Sequence, residues 1–97
     1  MNKYLPIGSI VVLKNADKKL MIYGRKQKDT GNGNIRDYVG CVYPEGNIDL
    51  KHTYLFNHDQ IEKVFFIGFQ DLEEIEFNKR LIKAERSEEH TSELQSQ

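Results

Sequence analysis

Five short runs of apolar and β-branched residues, each closed by turn-forming residues, constrain this chain more than any other feature. The runs occupy residues 9–13, 19–26, 35–43, 53–56 and 62–69. Each is too short for a typical helix and is bounded by Gly, Pro, Asn or Asp, which is the pattern of β-strands. Sequential strands joined by short turns predict an antiparallel arrangement. We therefore expect a small antiparallel curled sheet or an SH3-like barrel of about five strands.

Local turn chemistry refines this prediction. Gly24 interrupts the second run and indicates a β-bulge or a close backbone approach. Residues 27–34 are rich in Gly and Asn and predict a flexible loop, whereas the Pro44-Glu45-Gly46-Asn47 segment predicts a tight turn with Gly46 at positive φ. Residues 57–60 predict a single helical turn with Asn57 as its cap.

The pattern changes from Gln70 onward, where apolar residues recur at helical spacing among Glu, Lys and Arg. The predicted fold is therefore mainly β (α+β), with one C-terminal helix. Leu72 and Ile75 belong to a stripe that we expect to cover the core of the domain. Phe77 and Leu81 lie to the side of that stripe, and they are the candidate partner-binding residues because exposed aromatic anchors dominate many interfaces.

Length, charge and cysteine usage exclude several classes of protein. The chain has 97 residues, a net charge of −1 and one cysteine, Cys41. This length fits a single domain, the charge argues against a nucleic-acid binder, and one thiol cannot make an internal disulfide. Cys41 lies in an apolar run and is expected to be buried. No apolar stretch approaches a membrane span and no signal peptide is evident, so we expect no membrane insertion and a cytoplasmic location.

The C-terminal residues 86–97 form a separate segment. Arg86 to Ser96 resembles the in-frame translation of a widely used sequencing-adapter oligonucleotide. A foreign segment of this kind is excluded from reasoning about the fold. The expected organisation is therefore one small β domain with a C-terminal helix over residues 1–85, followed by an artefactual tail over residues 86–97.

The chemically capable residues do not form a recognisable catalytic or metal-binding set. A nucleophile needs an adjacent base and an orienting group, and zinc needs three or four ligands at suitable spacing. His52 and His58 flank one short strand and could meet across a turn, but no third ligand accompanies them. We expect no enzyme activity, no cofactor and no metal. The aromatic residues Tyr38, Tyr43, Tyr54 and Phe56 leave a nucleic-acid-binding small barrel as the alternative, although packing within the sheet is the favoured role.

A series of short blocks, taken in order, resembles one family. The blocks are Leu5-Pro6-Ile7-Gly8-Ser9, Val11-Val12-Leu13-Lys14, Lys19-Leu20-Met21-Ile22-Tyr23-Gly24-Arg25, Asp37-Tyr38-Val39-Gly40, Tyr43-Pro44-Glu45-Gly46, Phe56-Asn57-His58, Ile61, Val64 and Gly68-Phe69. Together they resemble domain-of-unknown-function family 4176, over about residues 5–69. Each block alone is unspecific, and their ordered combination carries the resemblance.

The resemblance implies a non-enzymatic accessory or targeting protein of a Gram-positive bacterium. Members of that family are encoded beside LXG-type toxins of type VII secretion and beside small helical partner proteins. The implied partners are the helical N-terminal region of such a toxin and those small proteins, with the complex presented to the secretion machinery. The resemblance implies no catalytic residue.

The histidine and cysteine spacing predicts that the purified protein binds no metal. Elemental analysis of protein prepared without an affinity tag should find less than one zinc ion per chain, because His52 and His58 lack companion ligands at zinc spacing. Stoichiometric zinc would contradict our interpretation of His52, His58 and Cys41.

Overall fold

The computed structural model describes residues 3–86, which form five strands, two short 3₁₀ turns and one helix. The strands are β1 (Ile10–Leu13), β2 (Lys19–Lys28), β3 (Ile35–Val42), β4 (Thr53–Phe56) and β5 (Ile61–Phe66). The 3₁₀ turns are Leu50–His52 and His58–Gln60, and the helix α1 is Leu72–Arg86. The prediction of a mainly β fold with one C-terminal helix is confirmed.

The strands form one antiparallel sheet in the order β4-β3-β2-β1-β5. Consecutive strands from β1 to β4 are neighbours, and β5 returns to pair with β1. The sheet is open, with β4 and β5 at its edges. Of the two predicted arrangements, a small antiparallel sheet and an SH3-like barrel, the structure therefore confirms the sheet. The terminal position of β5 leaves one of its sides without a strand partner within the described residues.

The chain divides into two compact units. One contains the whole sheet, over residues 5–69, and the other combines the described residues before Leu5 with those from Gln70 to Arg86. The proposed tail over residues 86–97 lies outside the described residues, apart from Arg86 at the end of α1. Among the described residues, no helix has the length and apolar character needed to cross a membrane.

The hairpin between β2 and β3 departs from the expected loop. The predicted bulge at Gly24 is confirmed, since the register shifts between Ile22 and Gly24. An added Cβ at Gly24 would meet Val39 Cγ1 at 2.5 Å, which explains the glycine. The predicted flexible loop over residues 27–34 is wrong at its start, because β2 continues to Lys28 and the remaining turn is closed by the Asp29 amide donating to the Asn34 carbonyl at 2.7 Å.

Two predicted turns are present. Gly46 has φ of 87° and donates its amide to the Val42 carbonyl at 2.7 Å, as the tight turn requires. Asn57 precedes the second 3₁₀ turn, and its backbone amide donates to Gln60 Oε1 at 2.8 Å. The Asn57 Oδ1 accepts from the Asp37 amide at 3.0 Å, which ties this turn to β3.

The core of the 5–69 unit is formed by side chains of β1, β2, β3 and β4, and it includes the aromatic pair Tyr38 and Phe56. Its buried side chains are Ile10, Val11, Leu20, Ile22, Tyr38, Val39, Cys41, Val42 and Phe56. The expected burial of Cys41 is confirmed. Residues on both faces of β3 are buried, so this strand supplies much of the core.

A close backbone contact joins the segment before β1 to the segment after β5. The Gly68 amide donates to Ser9 Oγ at 3.0 Å, and Ser9 Oγ donates to the Pro6 carbonyl at 2.8 Å. A Cβ placed on Gly68 would lie 2.1 Å from the Ile7 carbonyl oxygen. Only glycine allows this approach, which holds the two ends of the β1–β5 pair together.

We expect Gly68→Ala to lower the free energy of unfolding by about 1–3 kcal/mol, because the added methyl group forces the two segments apart. Urea unfolding of the full chain measures the change. Gly31→Ala is the matched control, since a Cβ there meets the movable Asp29 carboxylate at 3.2 Å and no backbone atom. Equal stability of the two variants would contradict the proposed close contact.

Candidate functional site

An exposed apolar surface follows the outer strand of the sheet. It comprises Phe65, Phe66, Ile67 and Phe69, and we call it the β5 surface. Phe66 lies on the same side of the sheet as Lys63, because their partners in β1, Ile10 and Val12, are two residues apart. Phe66 is 60% exposed and Phe69 is 79% exposed, so these phenyl rings lie largely in solvent. An apolar edge strand of this kind is a hazard for nonspecific association unless a partner covers it. The β5 surface is therefore the main candidate for protein binding in the 5–69 unit.

Two lysines give the β5 surface a positively charged end. Lys19 Nζ lies 4.9 Å and Lys63 Nζ 5.0 Å from the centre of the Phe65 ring. Val12 pairs with Lys19 on one side and with Lys63 on the other, so the sheet register sets both lysines beside the same valine. We call Lys19, Phe65 and Lys63 the lysine–phenyl cluster.

The predicted partner-binding residues belong to the other unit and have different environments. Phe77 is 47% exposed, whereas Leu81 is buried at 8%. Leu72 and Ile75 are 78% and 45% exposed, and their expected role in covering the core of the sheet stays a prediction. Helical periodicity shows which residues share a face, but it does not show which face meets the core. A role of Phe77 and Leu81 in partner binding stays a prediction.

Asn78, which the sequence pattern did not identify, organises the helical unit. Its Oδ1 accepts from the Tyr4 amide at 2.9 Å and its Nδ2 donates to the Tyr4 carbonyl at 2.7 Å. The amide side chain thus pairs with one residue of backbone as a neighbouring strand would. This pairing joins Tyr4, which precedes the sheet, to α1.

A partly buried network joins Asp37, Tyr38 and His58. The Tyr38 hydroxyl accepts from the Leu5 amide at 2.8 Å and lies 3.0 Å from His58 Nδ1. Asp37 Oδ2 accepts from the His58 amide at 2.8 Å and lies 3.5 Å from His58 Nε2. If the Tyr38 hydroxyl donates to Nδ1, the Nε2–H of a neutral His58 points toward Asp37. The Tyr38 hydroxyl and both ring nitrogens of His58 then each have a polar partner.

The network contains an aspartate, a tyrosine and a histidine, which are residue types found in acid–base sites. Its hydrogen bonds, however, join these side chains to one another and to backbone amides, as in a structural network. Tyr38 is fully buried and its ring packs against Phe56 with centroids 5.5 Å apart. Its hydroxyl already has two partners, so the network fixes the 3₁₀ turn and the start of the 5–69 unit onto β3. The expected packing role of Tyr38 and Phe56 is confirmed, while Tyr43 and Tyr54 are partly exposed.

His52 and His58 do not meet. His52 Nδ1 donates to Asp49 Oδ1 at 2.6 Å, and this hydrogen bond is the main cause of the lowered pKa of the Asp49 carboxyl. The pKa of Glu45 is likewise lowered, chiefly by its hydrogen bond with Lys18. No group of three His, Cys, Asp or Glu side chains in the described part of the chain is arranged to hold a metal ion.

Residues 4–77 of the sequence match the family described as a domain of unknown function (DUF4176). The chain belongs to this family. The match includes the whole sheet and the first part of α1, so it agrees with the resemblance carried by the short blocks of residues 5–69. No curated protein and no solved structure matches the chain significantly.

The Tyr38 hydroxyl should contribute measurably to the stability of this DUF4176 domain. Tyr38→Phe leaves the Leu5 amide and His58 Nδ1 without their partner, so we expect unfolding to require about 1–3 kcal/mol less free energy. Urea unfolding monitored by circular dichroism measures the loss. Tyr54→Phe, on the partly exposed ring, should change stability little, and an equally small effect at Tyr38 would refute the network.

Proposed function

We propose that this protein is a non-enzymatic accessory factor that binds the helical N-terminal region of an LXG-type toxin for type VII secretion. Membership of DUF4176 supports the proposal, because the sequence resemblance implies this genetic and functional setting. The small helical proteins encoded with such toxins are the proposed additional partners. The proposed location is the cytoplasm, where the toxin is made before export.

The observation that carries the proposal is the β5 surface. Its rings and its aliphatic side chain are exposed along the outer strand and the segment after it, whereas Ile10, Val11, Leu20 and Ile22 of the two adjacent strands are buried. An amphipathic helix can lay its apolar face on such a surface. Burial of one large apolar side chain contributes roughly 1.5–3 kcal/mol, so three or four anchors offset the cost of association.

The β5 surface also changes which residues are expected to contact the partner. Phe77 remains a candidate because half of its side chain is exposed, but Leu81 presents little surface in the described structure. Phe66 and Phe69 present more apolar surface than either and are the proposed principal anchors. Phe77→Ala is thus a secondary test of partner binding.

Nucleic-acid binding by this open sheet is the second candidate function. The lysine–phenyl cluster favours it, because an aromatic ring beside ammonium groups can stack a base and contact a phosphate. The apolar character of the adjoining Phe66, Ile67 and Phe69 favours a protein partner instead.

The test is co-purification of the full chain with the N-terminal region of the toxin encoded nearby, with and without the toxin's small helical partners. Phe66→Ser should weaken the complex roughly tenfold or more because it removes a desolvated anchor. Calorimetry of the purified components measures the dissociation constant. The thermal midpoint of the isolated variant should stay near that of the wild type, since Phe66 is mainly exposed.

Leu50→Ser is the control, because Leu50 is 91% exposed and lies outside the β5 surface. This variant should bind as the wild type does. No association of the wild-type chain with the toxin region, alone or with the helical partners, would overturn the proposed function. Equal effects of Phe66→Ser and Leu50→Ser would leave the β5 surface without a role.

A further inference from the structure

The lysine–phenyl cluster holds two positive charges close together. Each ammonium nitrogen lies about 5 Å from the Phe65 ring centre, so the two nitrogens are at most about 10 Å apart. The negative face of the phenyl ring partly offsets their repulsion, but a cation–π contact at an exposed site contributes only about 0.5–1 kcal/mol. Both ammonium groups therefore remain able to bind an anion.

No carboxylate within residues 5–69 forms an ion pair with Lys19 or Lys63. Other lysines of the described chain do form such pairs: Lys18 Nζ lies 2.9 Å from Glu45 Oε1, and Lys79 Nζ lies 3.5 Å from Glu76 Oε2. Glu62 is adjacent to Lys63 in sequence but is not an ion-pair partner of either cluster lysine. The lysine–phenyl cluster thus offers uncompensated positive charge at one end of an apolar surface.

The apolar residues extend from the cluster in one direction along the chain. Phe69 follows Lys63 by six residues, which corresponds to roughly 20 Å if this segment is extended. A helix of about 13 residues has the same length, at 1.5 Å per residue. Three to four helical turns would therefore cover the distance between the charged end and Phe69.

We infer that the lysine–phenyl cluster and the β5 surface together bind an amphipathic helix whose apolar face is bordered by Asp or Glu side chains. The apolar face covers Phe66, Ile67 and Phe69, and the carboxylates pair with Lys19 and Lys63. This charge complementarity determines which helices bind and in which direction they lie. The inference rests on the proposed function in taking a protein helix as partner, and it adds the chemistry that this helix must have.

Phosphate is the competing anion, since it would also pair with two lysines beside an aromatic ring. The surroundings favour the carboxylate-bearing helix, because a nucleic-acid groove continues with further basic residues whereas the β5 surface continues with three apolar ones. The net charge of the chain is close to zero, which also gives a polyanion little general attraction.

The test compares two labelled amphipathic peptides of about 18 residues that share one leucine face. One carries Glu at the borders of that face and the other carries Lys at the same positions. Fluorescence anisotropy with the full chain should show the acidic peptide binding roughly tenfold more tightly than the basic peptide. Its affinity should fall as sodium chloride is raised from about 50 to about 300 mM, because salt screens the charges.

The double variant Lys19→Glu/Lys63→Glu should reverse the preference between the two peptides. Lys28→Glu/Lys51→Glu changes the net charge equally at two exposed lysines outside the cluster, and it should keep the wild-type preference. Circular dichroism and thermal melting of both variants show whether the fold is retained. If the reversed variant is unfolded, Lys19→Gln and Lys63→Gln singly should each reduce discrimination between the peptides.

Equal affinity of the wild-type chain for both peptides would overturn the inference, as would a preference for the acidic peptide that survives the charge reversal. Tighter binding of an oligothymidylate of about 20 nucleotides than of either peptide would assign the cluster to nucleic acid and also overturn it. Toxin binding that Phe66→Ser disrupts but Lys19→Glu/Lys63→Glu does not would refute this inference and leave the proposed function standing. If the chain discriminates between the two peptides but does not bind the toxin region, the inference about the cluster stands and the proposed function fails.

Discussion

The fully buried phenol of Tyr38 connects three separate segments of the 5–69 unit to β3. Its ring packs against Phe56 of β4 and meets the His58 ring edge-on, with centroids 5.0 Å apart. Its hydroxyl accepts from the Leu5 amide and bonds His58. Because a buried hydroxyl without partners is costly, all three attached segments must take one arrangement. This interaction fixes the β4 side of the sheet and the entry of the chain into it.

The opposite edge of the sheet, at β5, is held by a close backbone contact. The apolar side chains at this edge are exposed to solvent. The approach of Gly68 to Ile7 and its hydrogen bond to Ser9 align β5 with β1. No further strand pairs with β5 in the described chain, and the side chains of Phe66 and its neighbours are exposed. Stability and proposed binding are thus separated in the sheet: the β4 side has a satisfied polar network, and the β5 side has an apolar surface with two adjacent lysines. A rigid sheet that presents such an edge is suited to partner binding without prior folding.

Much of the architecture was predictable from local sequence because strands, turns and caps depend on residues near one another. The turn at Gly46, the bulge at Gly24 and the cap position at Asn57 follow from backbone preferences that operate within a few residues. The extension of β2 to Lys28 was missed, because cross-strand pairing with Ile35 overrides the loop preference of a polar segment. The helix was predicted, but its periodicity did not show that Leu81 is buried and Leu72 exposed, since periodicity alone does not fix the orientation of a face.

The sequence by itself determined the fold class, the family and the positions of most strands, because these follow from patterns of neighbouring residues and from ordered short blocks. Only the tertiary structure decided that the apolar run of β5 lies at an edge, since that position depends on pairing with β1 about fifty residues earlier. The same pairing places Lys19 and Lys63 around Phe65, although they are far apart in the chain. Strand order is set by the sum of long-range contacts. A local pattern therefore identifies a strand without showing which of its sides remains open to a partner.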